Sequence, residues 1–114
     1  MLYKDLKLKI NKESKNILIN GQNIEVLQYL PIKDKIDLIE IALQKSEEKG
    51  IYNEMKLEIY FNLYIVFLYT NLEFSEEEKA DEMTLYDELE SQNIFLRVVN
   101  AIPDDEYDLL LSWL

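Results

Sequence analysis

The first thirty residues alternate between apolar and polar positions, which is the pattern of half-buried β-strands. The segments Ile17–Ile19 and Ile24–Val26 flank the dipeptide of Asn20 and Gly21. Asn-Gly between two such segments favours a type I′ hairpin, because both central residues of that turn need positive φ. Leu6–Ile10 alternates in the same way. We therefore predict an antiparallel β-hairpin or a three-stranded ribbon, with one apolar face and one lysine-rich face.

The apolar spacing changes to that of helices after Pro31. Apolar residues recur at three- and four-residue intervals up to about Glu48, and Gly50 is placed to end this first helix. Asn53 is the expected N-cap of a second helix. The apolar residues of the second helix nearly encircle its axis, so Tyr60–Tyr69 should lie at the centre of the core.

Three further helices are predicted in the last forty residues. Ser75 and Glu78 have the spacing of a capping box and mark the start of a third helix, whose polar side is strongly acidic. Ile94–Ile102 predicts a short fourth helix. Pro103, followed by three acidic residues, is typical of the first turn of a fifth.

These elements predict one α+β domain over residues 1–114, with the β-ribbon in 1–30 and a bundle of four to five helices in 32–114. A length of 114 residues with 48% hydrophobic content can bury a single core and leaves no room for a second domain. No internal repeat and no linker divides the chain.

Charge is distributed unevenly along the chain. Residues 1–50 hold nine lysines and eight acids, whereas residues 51–114 hold three basic residues and fifteen acids, a balance of −12. We expect these carboxylates to stay in water on a rigid scaffold. An acidic surface repels phosphate backbones and anionic lipids, so no direct nucleic-acid or membrane partner is expected. A protein partner that is basic or presents an amphipathic helix is favoured.

The residue types argue against an enzyme, and we predict none. The chain has no cysteine and no histidine, which removes thiolate and imidazole ligands and the usual general base. Asp104–Asp108 lacks the glycine and the ligand spacing of a calcium loop, so neither a metal nor a cofactor is assigned. Gly50–Tyr52 and Tyr64–Val66 only partly match the GIY-YIG nuclease motif, because Val66 replaces its last glycine.

Two surfaces are candidates for partner binding. One is acidic, comprising the third helix and the start of the fifth, and the other is the apolar C-terminus. The seven candidate residues are Glu77, Asp81, Glu82, Glu88, Asp104, Asp105 and Trp113. The eight tyrosines, four of them on or near the second helix, are either core residues or part of an aromatic binding patch. The oligomeric state stays open, with self-association among the alternatives.

The N-terminus lacks the apolar segment that a signal peptide needs, so we expect a cytoplasmic protein. The most apolar stretch, Ile59–Tyr69, is shorter than the roughly 20 residues that span a bilayer.

Four segments resemble a family of small proteins from phages and prophages of low-GC Gram-positive bacteria: Gln28–Leu38, Gly50–Tyr60, Leu68–Leu72 and Ile102–Tyr107. The similarity is one of general sequence pattern, and it covers most of the chain from about Ile17. It implies a cytoplasmic, non-enzymatic protein associated with virion or tail assembly, and it carries no site residues. Family members continue with further helices, so we expect this chain to be a truncated or processed form.

The leading hypothesis is therefore a phage or prophage accessory protein that acts by protein–protein binding, as an assembly factor or chaperone would. The alternative is an acidic mimic of nucleic acid, which would inhibit a host nucleic-acid-binding or defence protein by filling its basic groove.

Overall fold

An antiparallel two-stranded hairpin precedes six helices in the computed structural model, which describes all residues from 1 to 114. The predicted α+β class is confirmed at this level, and five of the six helices have eight residues or more. A 3₁₀ turn, Tyr3–Leu6, comes first. The other elements are β1 (Ser14–Ile19), β2 (Gln22–Leu27), α1 (Ile32–Ser46), β3 (Glu47–Glu48), β4 (Ile51–Tyr52), α2 (Glu54–Tyr69), α3 (Glu76–Ala80), α4 (Glu82–Ser91), α5 (Ile94–Ala101) and α6 (Asp104–Trp113).

The predicted Asn-Gly turn joins β1 to β2. Asn20 and Gly21 have φ of 49° and 78°, as a type I′ turn requires, and Ile17 lies opposite Ile24. Ile24 is buried, so this face of the hairpin covers the core. The opposite face carries no lysine, contrary to the expectation, and presents Asn16, Leu18, Asn23 and Glu25 to solvent.

The three-stranded alternative is wrong, because Leu6–Ile10 pairs with no strand. The 3₁₀ turn and a left-handed Lys7, with φ of 52°, redirect the chain before β1. The outer edge of β1 is also occupied, since the Arg97 guanidinium of α5 donates a hydrogen bond to the Leu18 carbonyl. A third strand would have to displace this contact.

The first helix ends at Ser46, two residues earlier than predicted. Glu47–Glu48 pairs with Ile51–Tyr52 in a second, very short antiparallel hairpin. Gly50, with φ of 80°, lies in the turn of that hairpin and does not follow the helix directly. Asn53 caps α2 as predicted, its side chain accepting a hydrogen bond from the Lys56 amide.

The predicted third helix is divided in two at Asp81. The capping box of Ser75 and Glu78 begins α3 as predicted. Asp81 then begins α4, because its carboxylate accepts hydrogen bonds from the amide and the hydroxyl of Thr84. Aspartate competes in this way with a continuous helix, which explains the break.

Helix α2 is the central element, as its nearly continuous apolar surface predicts. It packs along α1, and Val26 of β2 forms an isolated bridge with Thr70 just after its end. Helices α5 and α6 complete the core. The largest fully buried apolar side chains are Val26, Leu38, Leu63, Ile65, Val66, Tyr69, Val98 and Leu110. None of the helices combines the length and the hydrophobicity needed to cross a bilayer.

Candidate functional site

An apolar groove with acidic residues at its rim lies between α2 and α6. Its volume is about 260 Å³, and its lining includes five apolar residues, two carboxylates, one amide and no cation. The lining residues are Glu54, Leu57, Glu58, Phe61, Asn62, Tyr107, Leu111 and Leu114. Local sequence patterns did not indicate this groove, because its two walls are separated by about fifty residues along the chain.

The walls of the groove follow from helical spacing. Leu110 of α6 is fully buried against the core, so Tyr107 and Leu111, three residues before and one residue after it, lie beside the core and face α2. The Phe61 and Tyr107 rings are in contact, with centroids 6.0 Å apart and planes inclined at 51°. Burial raises the pKa of Tyr107, and the nearby charges of Glu58 and Asp108 raise it further. The Tyr107 hydroxyl therefore lies in surroundings that disfavour its negatively charged form.

Trp113, a candidate partner-binding residue, lies beside this groove and does not line it. It shares the outer flank of α6 with Leu109, four residues earlier, and their exposed fractions are 37% and 36%. Leu111 of the same helix and Leu114, which directly follows it, are exposed on the groove side. The C-terminal helix therefore presents apolar side chains to solvent on both sides of its buried stripe.

Three of the acidic candidates are brought together at the junction of α3 and α4. Glu77, Asp81 and Glu88 line a shallow depression of about 320 Å³ with Glu78, Thr84 and Leu85. The Asp81 and Glu78 carboxylates already serve as helix caps. Glu77 and Glu88 are exposed and make no side-chain hydrogen bond or ion pair, so these two can accept an external partner.

The remaining acidic candidates lie elsewhere. Glu82 is half-buried, and its carboxylate pairs with Lys45 of α1 at 2.9 Å. Asp104 and Asp105 are exposed in the first turn of α6, where Asp105 accepts a hydrogen bond from the Glu106 amide. No cluster of three or more acidic side chains has an arrangement that could hold a metal ion. The seven candidates thus form no single surface.

The tyrosines of α2 do not form a single patch either. Tyr69 is completely buried, whereas Tyr60 and Tyr64 are half-buried and lie near the Lys45 ammonium, at 5.4 and 5.8 Å. Tyr52, on β4, is 51% exposed. Core packing accounts for most of this aromatic content.

A buried ion pair is the main polar feature that sequence reasoning missed. Glu106 is only 8% exposed, so the expectation that the later carboxylates all stay in water is wrong for this residue. One of its oxygens pairs with Lys35 Nζ at 2.8 Å. The other accepts hydrogen bonds from the Tyr69 hydroxyl at 2.7 Å and from the Leu30 amide at 2.8 Å. Every polar atom of this carboxylate is therefore satisfied.

This network fixes the position of α6 relative to the rest of the fold. Glu106 joins α6 to α1 through Lys35 and to α2 through Tyr69. Its hydrogen bond from the Leu30 amide also joins α6 to the segment that follows β2. The Lys35 ammonium also lies 4.0 Å from the centre of the Tyr29 ring, in a cation–π contact. Because Tyr107 directly follows Glu106, the network also positions a wall of the groove.

Alkaline pH should weaken this network through Tyr69. Burial, followed by the hydrogen bond to Glu106 and its charge, raises the pKa of the Tyr69 hydroxyl well above its ordinary value. A raised folded-state pKa gives stability that is present below the unfolded pKa of about 10 and lost as pH rises above it. We expect the free energy of unfolding to fall more steeply between about pH 9 and pH 11 in the wild type than in Tyr69→Phe.

The measurement is urea unfolding of both proteins across that pH range, followed by circular dichroism. Tyr52→Phe, at an exposed tyrosine, is the matched control and should keep the slope of the wild type. Equal slopes for the wild type and Tyr69→Phe would contradict the prediction.

Comparison with known proteins gives no relative from which a function could be transferred: no protein-family model, no curated protein and no solved structure matches the chain.

Proposed function

We propose that this protein is a non-enzymatic accessory protein of a phage or prophage, acting in the host cytoplasm by protein–protein binding. It would serve as a virion or tail assembly factor or as a chaperone. The phage setting is supported by the sequence resemblance, and the binding role by the groove between α2 and α6. The groove would receive a basic, amphipathic segment of the partner.

The composition of the groove supports this choice of partner. Its floor is apolar, so it gains free energy by covering apolar side chains. Its charged residues, Glu54 and Glu58, are both acidic and exposed. At about 260 Å³, the groove is smaller than the roughly 300 to 1,000 Å³ typical of sites for drug-sized ligands. A segment with apolar side chains toward the floor and lysines or arginines over the rim fits this arrangement.

Neither carboxylate with a shifted pKa is suited to act as a general acid. The pKa of Glu48 is lowered by its hydrogen bonds with the Lys56 ammonium and the Asn53 amide, and that of Glu78 by its capping hydrogen bonds at Ser75. A carboxylic acid that donates a proton near neutral pH needs the opposite, a raised pKa. Both groups are exposed and have structural partners.

Binding to the groove can be tested with a synthetic peptide of alternating leucine and lysine, measured by isothermal titration calorimetry. Glu54→Lys/Glu58→Lys should weaken binding at least about tenfold, because like charges then face each other across the rim. Glu77→Lys/Glu88→Lys makes the same change of net charge at the α3–α4 depression and should leave binding unchanged. A peptide of alternating leucine and glutamate should not bind to the wild type.

The reverse pattern, in which the α3–α4 variant loses binding and the groove variant keeps it, would favour the second hypothesis, an acidic mimic of nucleic acid. The observation behind it is the depression at α3 and α4, where Glu77 and Glu88 stand free beside Asp81. A mimic should lose binding to the basic peptide in Glu77→Lys/Glu88→Lys and keep it in the groove variant. Its binding should also fall steeply with salt, whereas an apolar groove retains much of its affinity.

A further inference from the structure

The first thirteen residues form an exposed arm that takes no part in the core. Every residue of this N-terminal arm, Met1–Glu13, is exposed, and its only backbone link to another element is the Gln28 amide bonding to the Glu13 carbonyl. The radius of gyration is 15.8 Å, compared with about 13 Å expected for a compact chain of this length. The arm therefore projects from the body.

The arm carries an unusual amount of exposed apolar surface. Leu2, Tyr3, Leu6, Leu8 and Ile10 are all more than half exposed. Leu8 and Ile10, which follow the 3₁₀ turn, point to one side where the chain is extended, because side chains alternate along a strand. Monomeric proteins rarely leave contiguous apolar surface of this kind in water. This side of the arm thus needs a partner surface.

The charge of the arm is opposite to that of the body. Four lysines and two acids give the arm a formal charge of +2, which leaves −13 on the rest of the chain. Lys7 and Lys9 alternate with the apolar residues. The arm thus has the chemistry that the groove between α2 and α6 requires, namely apolar side chains for the floor and cations for a rim formed by Glu54 and Glu58.

We infer that the groove of one copy receives the N-terminal arm of a second copy, so that two molecules exchange arms in a reciprocal dimer. The inference rests on the proposed binding role of the groove and names its occupant. Thirteen residues reach at most about 43 to 47 Å when fully extended, and less with the 3₁₀ turn at Tyr3–Leu6, which is comparable to the shorter dimensions of the molecule, 42 and 26 Å. A twofold axis fills both grooves at once, which is the commonest symmetry of protein dimers.

Charge exchange between the arm and the groove provides the test. The arm variant is Lys7→Glu/Lys9→Glu, and the groove variant is Glu54→Lys/Glu58→Lys; all four residues are exposed, so the fold should be retained. Analytical ultracentrifugation should show a dimer for the wild type. In either variant alone, arm and groove carry like charges, and the dimer dissociation constant should rise at least about tenfold.

An equimolar mixture of the two variants should restore the dimer. The glutamates of the arm variant then meet the lysines of the groove variant, and the unaltered arm meets the unaltered groove. Glu77→Lys/Glu88→Lys, which changes the net charge equally, should remain dimeric. Circular dichroism of each variant checks that the helices are intact.

Two results would overturn the inference. The first is a wild type that stays monomeric at about 100 μM, which is about 100 times a Kd of about 1 μM. The second is a mixture of the two variants that fails to dimerise. An arm folded onto its own groove would give the first result. Neither result removes the proposed function if the leucine–lysine peptide still binds to the wild type and not to the groove variant. If the arm exchange is correct, that peptide should compete with the arm and dissociate the dimer.

Discussion

Glu106→Ala is expected to lower the free energy of unfolding by about 3 to 5 kcal/mol, the cost of removing one partner from a buried ion pair. The substitution leaves the Lys35 ammonium, only 1% exposed, without its counter-charge. It also deprives the Tyr69 hydroxyl and the Leu30 amide of their acceptor. Since a domain of this kind has about 5 to 15 kcal/mol of stability in total, much of it would be lost.

The measurement is urea unfolding at neutral pH, and two further variants identify the cause. Asp105→Ala, at the exposed neighbouring carboxylate, should cost less than about 1 kcal/mol. Lys35→Met/Glu106→Leu removes both charges and should recover the part of the loss that comes from the unpaired Lys35 ammonium. The Tyr69 hydroxyl and the Leu30 amide still lack their acceptor in this double variant, so the recovery should be partial. A cost for Glu106→Ala as small as that of Asp105→Ala would mean that the ion pair is not buried in solution.

The local elements of the fold could be predicted because their causes lie within a few residues. Asn20 and Gly21 specify a turn by their φ preferences, and Ser75 with Glu78 specifies a helix start by reciprocal hydrogen bonds. These signals do not depend on the rest of the chain. The structure accordingly has the hairpin and the capping box where the pattern placed them.

The third strand was wrongly predicted because a local pattern there needs a distant partner. Leu6–Ile10 has the alternation of a strand, but Arg97 of α5 contacts the β1 edge where a third strand would pair. The division of the third helix at Asp81 is a local competition that the apolar spacing alone does not show. Alternation thus predicts that a segment can be extended, and not that it finds a strand to pair with.

The buried network left a signal in the sequence that can be recognised in retrospect. Lys35 falls on the same helical stripe as Leu38, Ile39 and Ala42, the buried face of α1. Glu106 precedes the buried Leu110 by four residues on α6. A single lysine and a single glutamate, each on an otherwise apolar stripe, are candidates for pairing, although only the tertiary structure shows that they meet.

The candidate groove was beyond sequence reasoning for the same reason. The apolar C-terminus with Trp113 suggested a docking surface, but the acidic rim comes from Glu54 and Glu58 of a different helix. Which carboxylates border apolar surface depends on how α2 and α6 pack. The pattern therefore predicted the chemistry of a partner and could not locate where that partner binds.

Leu63→Ala is expected to lower the free energy of unfolding by about 2 to 5 kcal/mol, because it opens a cavity in the central helix. Leu63 has no exposed surface, and it belongs to the buried core that includes Leu38 and Ile39 of α1. The matched control is Leu96→Ala on α5, where the side chain is 60% exposed and the cost should stay below about 1 kcal/mol. Urea unfolding of both variants measures the difference.

The same variant also tests whether the groove is preformed. Leu63 does not line the groove, so a folded Leu63→Ala molecule should bind the leucine–lysine peptide as tightly as the wild type does. Peptide affinity measured well below the unfolding midpoint should then be unchanged while stability falls. If affinity falls in proportion to stability instead, the groove forms only when α2 is held by its whole core, and binding energy would be consumed in ordering it.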